Sequence, residues 1–373
     1  HAFSTLHAMG IDPLVEINRT NEGNYAWDAA GTPAGWADRW EHWHHFYAQA
    51  FYLAKNFDVH RFQMYNEPNL DDDLTVAEYL ERLRFASDAV QSAVMDVNRI
   101  YGKSLDPQMQ GPVSAGGTSL YPSWGAPVIA NLHNTIDPAF RLVDTYAYQQ
   151  YNASGESMAS QLTSLKNSVN TDAPGEGIRF AITEFNVHTA GNFDDIPETL
   201  DTPSKSSRFG SILANLANTK PNELYIFKFS QGPGTDPGTV KKNGTHFVDN
   251  DTAPYNIGGV TKGGEVGAGS TDLRLSASHD AEHDLYYLFS ANEATSARSF
   301  TVDLSSWNIE PGTRVIVEEV GADRHGEVSH ILTVPANRIL SLPGTGQNSQ
   351  SVLLFSIPKH KAAYNITLDA TDD

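Results

Sequence analysis

Apolar positions in the first two-thirds of the chain switch repeatedly between two periods. Pro13 to Asn18 (PLVEIN) is an apolar run of strand length, whereas Trp36, Trp40, Trp43, Tyr47, Phe51 and Ala54 recur every three or four positions and predict a helix from about Trp36 to Asn56. A strand follows at Val59 to Tyr65 (VHRFQMY). Thr75 and Glu78 have the spacing of a capping box, and Val76, Leu80, Leu83, Val90, Val94 and Val97 continue at helical spacing up to Gly102. Further strands are expected at Met109 to Ser114, Leu142 to Tyr148, Ile178 to Glu184 and Glu223 to Phe229, with helices at Pro127 to Asn134, Ser157 to Asn170 and Ser204 to Asn218. Strict alternation of strands and helices is the pattern of parallel βα units.

A closed (β/α)₈ TIM barrel needs eight strands, and six are found here. If Glu223 to Phe229 is the eighth, Pro13 to Asn18 is the third, and the expectation is a barrel whose first two strands precede His1. Gly258 to Gly269 is glycine-rich, and beyond it the pattern becomes short β-type runs between turns: Leu273 to Ser278, Leu285 to Asn292, Ser299 to Leu304, Arg314 to Val320, His330 to Val334, Arg338 to Leu342 and Ser351 to Ile357. These predict an antiparallel β-sandwich. The expected division is therefore a barrel over residues 1–268, a sandwich over 269–358, and a linker or the start of a further module over 359–373.

Two glutamates carry the chemistry. Tyr65-Asn66-Glu67-Pro68 ends one predicted strand and Thr183-Glu184-Phe185-Asn186 ends another, three strands later in the series. Barrel enzymes place catalytic groups at strand C-termini. Cleaving a glycosidic bond with retention needs one carboxylic acid to protonate the leaving oxygen and one carboxylate to attack the anomeric carbon, about 5 to 5.5 Å apart. Counted from the back, Glu67 ends strand four and Glu184 ends strand seven. Trp124, His188, Lys228 and Gln231 fall on loops or strand ends of the same face, where aromatic and polar side chains bind sugars.

This arrangement resembles the clan of retaining (β/α)₈ glycoside hydrolases, with an Asn-Glu acid/base pair after strand four and a nucleophile after strand seven. The stretches RFQMYNEPNL, VDTYAYQQYN and FAITEFNVHTAGNF look most like glycoside hydrolase family 86, the β-agarases and β-porphyranases, over most of residues 11–260. The resemblance implies Glu67 as acid/base and Glu184 as nucleophile in endo-acting double displacement at the β-1,4-galactosyl linkages of red-algal galactans. It further implies that Asn66 binds the 2-hydroxyl, and that Tyr148, two residues after Tyr146, donates to Glu184 with Asn186 nearby. Another clan member acting as a xylosidase, galactosidase or mannanase, or a non-catalytic sugar-binding barrel, is the alternative.

Charge and composition narrow the partners. A net charge of -20 repels nucleic acid and anionic membranes, and tilts the substrate toward neutral agarose over sulfated porphyran. No apolar run reaches the roughly 20 residues of a membrane span. The chain has no cysteine, which removes disulfides and thiolate metal sites. His42, His44 and His45 lie within four positions of a predicted helix and point different ways, so they do not converge easily on one ion, and neither Asp249-Asn250-Asp251 nor the run His279, Asp280, Glu282, His283, Asp284 has the spacing of a calcium loop. No cofactor and no metal is expected. The partner expected is a poly- or oligosaccharide met by a monomer outside the cell or in the periplasm, with no signal peptide visible in this chain.

Overall fold

The structure, a computed structural model, describes residues 2–18, 39–70, 74–151, 153–186, 203–226 and 272–361. The chain divides into two compact units, one made of His1–Gln150, Leu162–Phe185 and Pro221–Tyr225, the other of Tyr151–Gln161, Asn186–Lys220 and Ile226–Asp373. The glycine-rich stretch Gly258 to Gly269, with the expected boundary at residue 268, lies outside the described residues, as do 362–373.

The first unit alternates as its periodicity predicts. In chain order come α1 (Ala2–Ala8), β1 (Leu14–Ile17), α2 (Arg39–Phe57), β2 (Arg61–Met64), α3 (Val76–Tyr101), β3 (Gln108–Ser114), α4 (Ala126–Ala130), β4 (Thr145–Tyr151), α5 (Gly155–Asp172), β5 (Arg179–Asn186) and, after α6 (Pro203–Thr219), β6 (Glu223–Ile226). The six strands form one sheet in sequence order, and β1, β2, β3 and β4 pair in parallel. The strand starts stay level beyond β4, because the Arg179 N–H donates to Asp144 and the Asn222 N–H to Phe180.

Helix α3 shows how the sequence sets these elements. Thr75 accepts from the Glu78 N–H, Glu78 accepts from the Thr75 N–H, and Gly102 closes the other end in the left-handed conformation. Its apolar face, Leu83, Ala86, Val90, Val94 and Val97, is buried. The aromatic stripe of α2 faces this helix: Trp43 donates to Asp88 at 2.6 Å, Tyr47 to Asp96 at 2.7 Å, and Trp40 meets Phe85 edge-on while staying 58% exposed. A second, adjacent face of α2 holds Phe46, Ala50, Leu53 and Ala54 in the core. Between the two, His42 packs on Phe46 and Tyr65, and burial, with His45 and Arg82 close by, pushes its pKa down to about 3. That ring is neutral packing.

The sheet curls. In a flat sheet β2 and β6 would stand about 19 Å apart, yet Arg61 of β2 donates to Glu223 of β6. Glu223 also accepts from Gln110 of β3 at 2.5 Å, Tyr225 at 2.8 Å and Arg179 of β5 at 2.8 Å. These residues sit at the strand starts, so their convergence marks the closed N-terminal end of a barrel-like interior. Val113, Ala147 and Ala181 fill a layer above it. Glu223 is 9% exposed and holds Arg61, itself 13% exposed. Replacing Glu223 by alanine removes the acceptor shared by four side chains, leaves Arg61 with Asp12 and the Tyr225 hydroxyl, and is expected to cost about 2 kcal/mol in urea unfolding. A loss under about 0.5 kcal/mol would show that the cluster does not tie β2 to β6.

The second unit contains a five-stranded antiparallel sheet in the order β11 (His325–Thr333), β10 (Arg314–Val320), β13 (Ser351–Pro358), β8 (Leu285–Asn292), β7 (Leu273–Asp280), and a two-stranded sheet of β9 (Thr301–Asp303) with β12 (Ile339–Ser341). Leu288, Leu304, Ile309, Val315, Val317, Leu340, Leu353 and Phe355 form its core. Helix α6, expected among the barrel helices, packs on this sheet. Gly210 comes so close that an added Cβ would meet the Val352 side chain at 2.5 Å, and Asn218 donates to the Leu275 carbonyl. In the acidic turn after β7, Asp280 accepts from the N–H groups of Glu282 and His283 and pairs with the His283 ring, while Asp284 pairs with Lys359. The carboxylates of Asp280 and Asp284 are used in shaping the turn.

Candidate active site

Strand β2 ends in an unusual backbone. Tyr65 has φ of 64° and Glu67 φ of 37°, both left-handed and neither glycine. Each such residue costs about 1–3 kcal/mol and persists only where its surroundings hold it. The surroundings here are specific. The Tyr65 N–H donates to Ile17, Gln63 donates to the Tyr65 carbonyl at 3.0 Å, and the Leu70 N–H donates to the Glu67 carbonyl at 2.8 Å. Asn69 bonds Ala115 in both directions, its amide donating to the carbonyl at 3.2 Å and its oxygen accepting from the N–H at 2.8 Å, which ties this turn to the one after β3. Strain held this firmly at a strand C-terminus is a sign of function.

Glu67 is half-buried, with the buried Pro68 directly after it. Glu184 is also half-buried, between Thr183 and the fully buried Phe185 near the end of β5. The strands stand second and fifth in the sheet, and their level starts put both glutamates at its C-terminal edge. Between them, Thr183 donates to the Tyr148 carbonyl. Asn66, beside Glu67, accepts a hydrogen bond from Gln149 of β4 at 2.6 Å.

Other expected residues are placed differently. Tyr146 and Tyr148 alternate along β4 with Ala147 and Gln149, so the tyrosines occupy the opposite face from the residue that reaches Asn66. Both are buried, which pushes their phenols well above the ordinary range, and neither hydroxyl has a hydrogen-bond partner among the described residues. The expected bond from Tyr148 to Glu184 is therefore not formed. Tyr146 packs beside Tyr121 and against Gly125, where a Cβ would come 2.3 Å from its hydroxyl. Trp124, expected as a sugar-binding surface, is 8% exposed and packs on Tyr79 within the π-helical turn Tyr121–Gly125. His188, Lys228, Gln231 and the Asn186 side chain lie outside the described residues.

Sequence reasoning missed Gln149 and Asn69. Alternation along β4 could have flagged Gln149, since it must leave the tyrosine face. Asn69 carries no signal beyond being a polar residue next to the motif.

No family profile matches the chain, and no curated protein matches it. Solved structures do. A family 30 endoxylanase from Clostridium papyrosolvens is similar with a TM-score of 0.64 at 16% identity, over 96% of this chain and 82% of its own. A family 44 xyloglucanase from Paenibacillus polymyxa gives 0.63 at 13% identity, over 96% and 82%. A family 51 arabinofuranosidase from Xanthomonas axonopodis pv. citri gives 0.61 at 12% identity, over 95% and 77%. At these identities the likeness shows the fold, which is that of TIM-barrel glycoside hydrolases.

Proposed function

We propose that the protein is a retaining glycoside hydrolase in which Glu67 is the general acid/base and Glu184 the nucleophile. The observation that carries this is the position of the two half-buried glutamates at the C-terminal ends of the second and fifth strands of one curled sheet. Glu67 protonates the leaving glycosidic oxygen as Glu184 attacks the anomeric carbon, giving a glycosyl ester. Glu67, now a carboxylate, then takes a proton from the water that hydrolyses the ester. Asn66 donates to the 2-hydroxyl, a bond that strengthens as charge builds on the sugar ring. Anchoring of the turn through Asn69 and Gln63 keeps the acid/base in place, where small displacements are costly.

The substrate we propose is an agar-type galactan cut at internal β-1,4-galactosyl linkages. Support comes from the resemblance of the three motif stretches to family 86, and from the acidic chain, which favours neutral agarose over a sulfated polymer. Incubation with agarose, porphyran, xylan and mannan, followed by measurement of new reducing ends, tests this. Release from agarose above the other three is expected. Release from xylan alone would overturn the substrate while leaving the mechanism standing.

A further inference from the structure

Stability explains little of what stands at the start of α2. Trp40, its second residue, keeps 58% of its surface in water although an indole is among the largest apolar surfaces a side chain carries. Phe85 of α3 meets it at 84° and Trp43 at 62°, so these two rings prop the indole up without stacking on it. Next to it Arg39 donates through Nε to Glu81 of α3 at 2.7 Å, and this ion pair also lies at the surface, where such pairs add little to folding.

The place is fixed by the chain. Only Asp58, Val59 and His60 separate the end of α2 from the start of β2, so α2 finishes level with the strand starts. Its 19 residues rise about 28 Å, which carries Arg39 and Trp40 to the other end of the sheet, the end that bears Glu67 and Glu184. They stand there on the outer helix layer, over the seam between α2 and α3.

An open aromatic ring beside a donor and an acceptor is the chemistry of a sugar site. A β-galactosyl ring has its axial 4-hydroxyl on one face and presents C–H groups on the other, which lies flat on an indole. Arg39 offers N–H donors and Glu81 acceptors to hydroxyls at the edge of that ring, as polar groups around an apolar contact fix a ligand's orientation. Because the two charges cancel, the pair suits a neutral polymer better than a sulfated one.

We propose that Trp40, with Phe85 behind it and the Arg39–Glu81 pair beside it, is a second glycan-binding site that holds a neutral galactan on the outer wall of the first unit. The choice of galactan rests on the substrate reading above. The site takes no part in bond cleavage and serves to keep the protein on a polymer.

The test separates binding from turnover. Adsorption to insoluble agarose is measured for Glu184→Gln alone and combined with Trp40→Ala or with Tyr52→Ala, the last a control ring at the far end of α2 that is 59% exposed. Trp40→Ala should weaken adsorption about 10-fold, the scale of one aromatic contact, and Tyr52→Ala should leave it unchanged. With Glu184 intact, Trp40→Ala should slow hydrolysis of gelled agarose about threefold or more, yet keep kcat/KM on a soluble agarose hexasaccharide within about twofold. Its thermal midpoint should stay within about 3 °C of the unaltered protein's, since most of the ring is already in water. Unchanged adsorption, equal weakening by Tyr52→Ala, equal losses on gel and hexasaccharide, or a variant that fails to fold would overturn the second site and leave the glycosidase reading intact. Adsorption through Trp40 with no release of reducing ends from any glycan would sink the glycosidase reading and leave the site standing. A protein that neither binds nor cuts agarose removes both the site and the galactan substrate.

Discussion

Replacing Glu184 with glutamine is expected to lower turnover by on the order of 10⁵-fold, the scale of losing a nucleophile from a site that otherwise remains assembled. Binding of the glycan should survive, because the amide keeps the size and one acceptor of the carboxylate. Isothermal titration of the variant alongside reducing-end kinetics separates the two effects. A protein that merely binds sugar would show no turnover in either form and equal affinity in both. Loss of binding together with turnover would assign Glu184 to holding the ligand.

Glu67→Ala should give the second largest loss, with a different signature. General acid/base catalysis contributes about 10²- to 10⁴-fold, and the full loss should appear on glycans, whose leaving alcohols need a proton. Aryl glycosides with acidic leaving groups escape most of the first step's penalty and accumulate the glycosyl ester. Azide, which attacks that ester without a general base, should then restore turnover and yield a glycosyl azide of retained configuration. An absence of azide rescue, with equal losses on both substrate types, would remove Glu67 from the acid/base role.

Elements with a strong period were legible in the sequence, and those shaped by neighbours were not. Helix α3 is bounded by a capping box and a left-handed glycine, both local chemistry, and it forms where its residues predict. Strand β4 runs three residues beyond its expected place. Leu142 and Val143 are fully buried but precede it, and its later residues Gln149, Gln150 and Tyr151 are extended by the sheet in spite of their polarity. Strand β11 begins at His325, five residues before its expected start at His330, because an exposed edge strand is set by pairing with β10 and needs no apolar face of its own.

The candidate site divides in the same way. Glu67 and Glu184 could be picked out because a strand end is a sequence feature. The contact between Gln149 and Asn66 spans 83 positions and depends on β3 ending one residue short, which no single stretch encodes. The bond expected from Tyr148 is not formed: its hydroxyl is buried and has no hydrogen-bond partner among the described residues. Strand alternation bears on β5, where Arg179 reaches Glu223 and Ala181 joins Ala147, while Phe180 lies under Lys166 of α5. For Glu184 to enter the mouth of the barrel, β5 must leave this alternation in its last residues.

Trapping of the covalent intermediate therefore tests the mechanism most directly. The protein is incubated with a 2-deoxy-2-fluoro-β-galactosyl fluoride, digested, and sequenced by mass spectrometry. One fluorosugar attached to the carboxylate of Glu184 is the expected result; a label on any other residue, or turnover of glycan to a product of inverted configuration, would contradict the account.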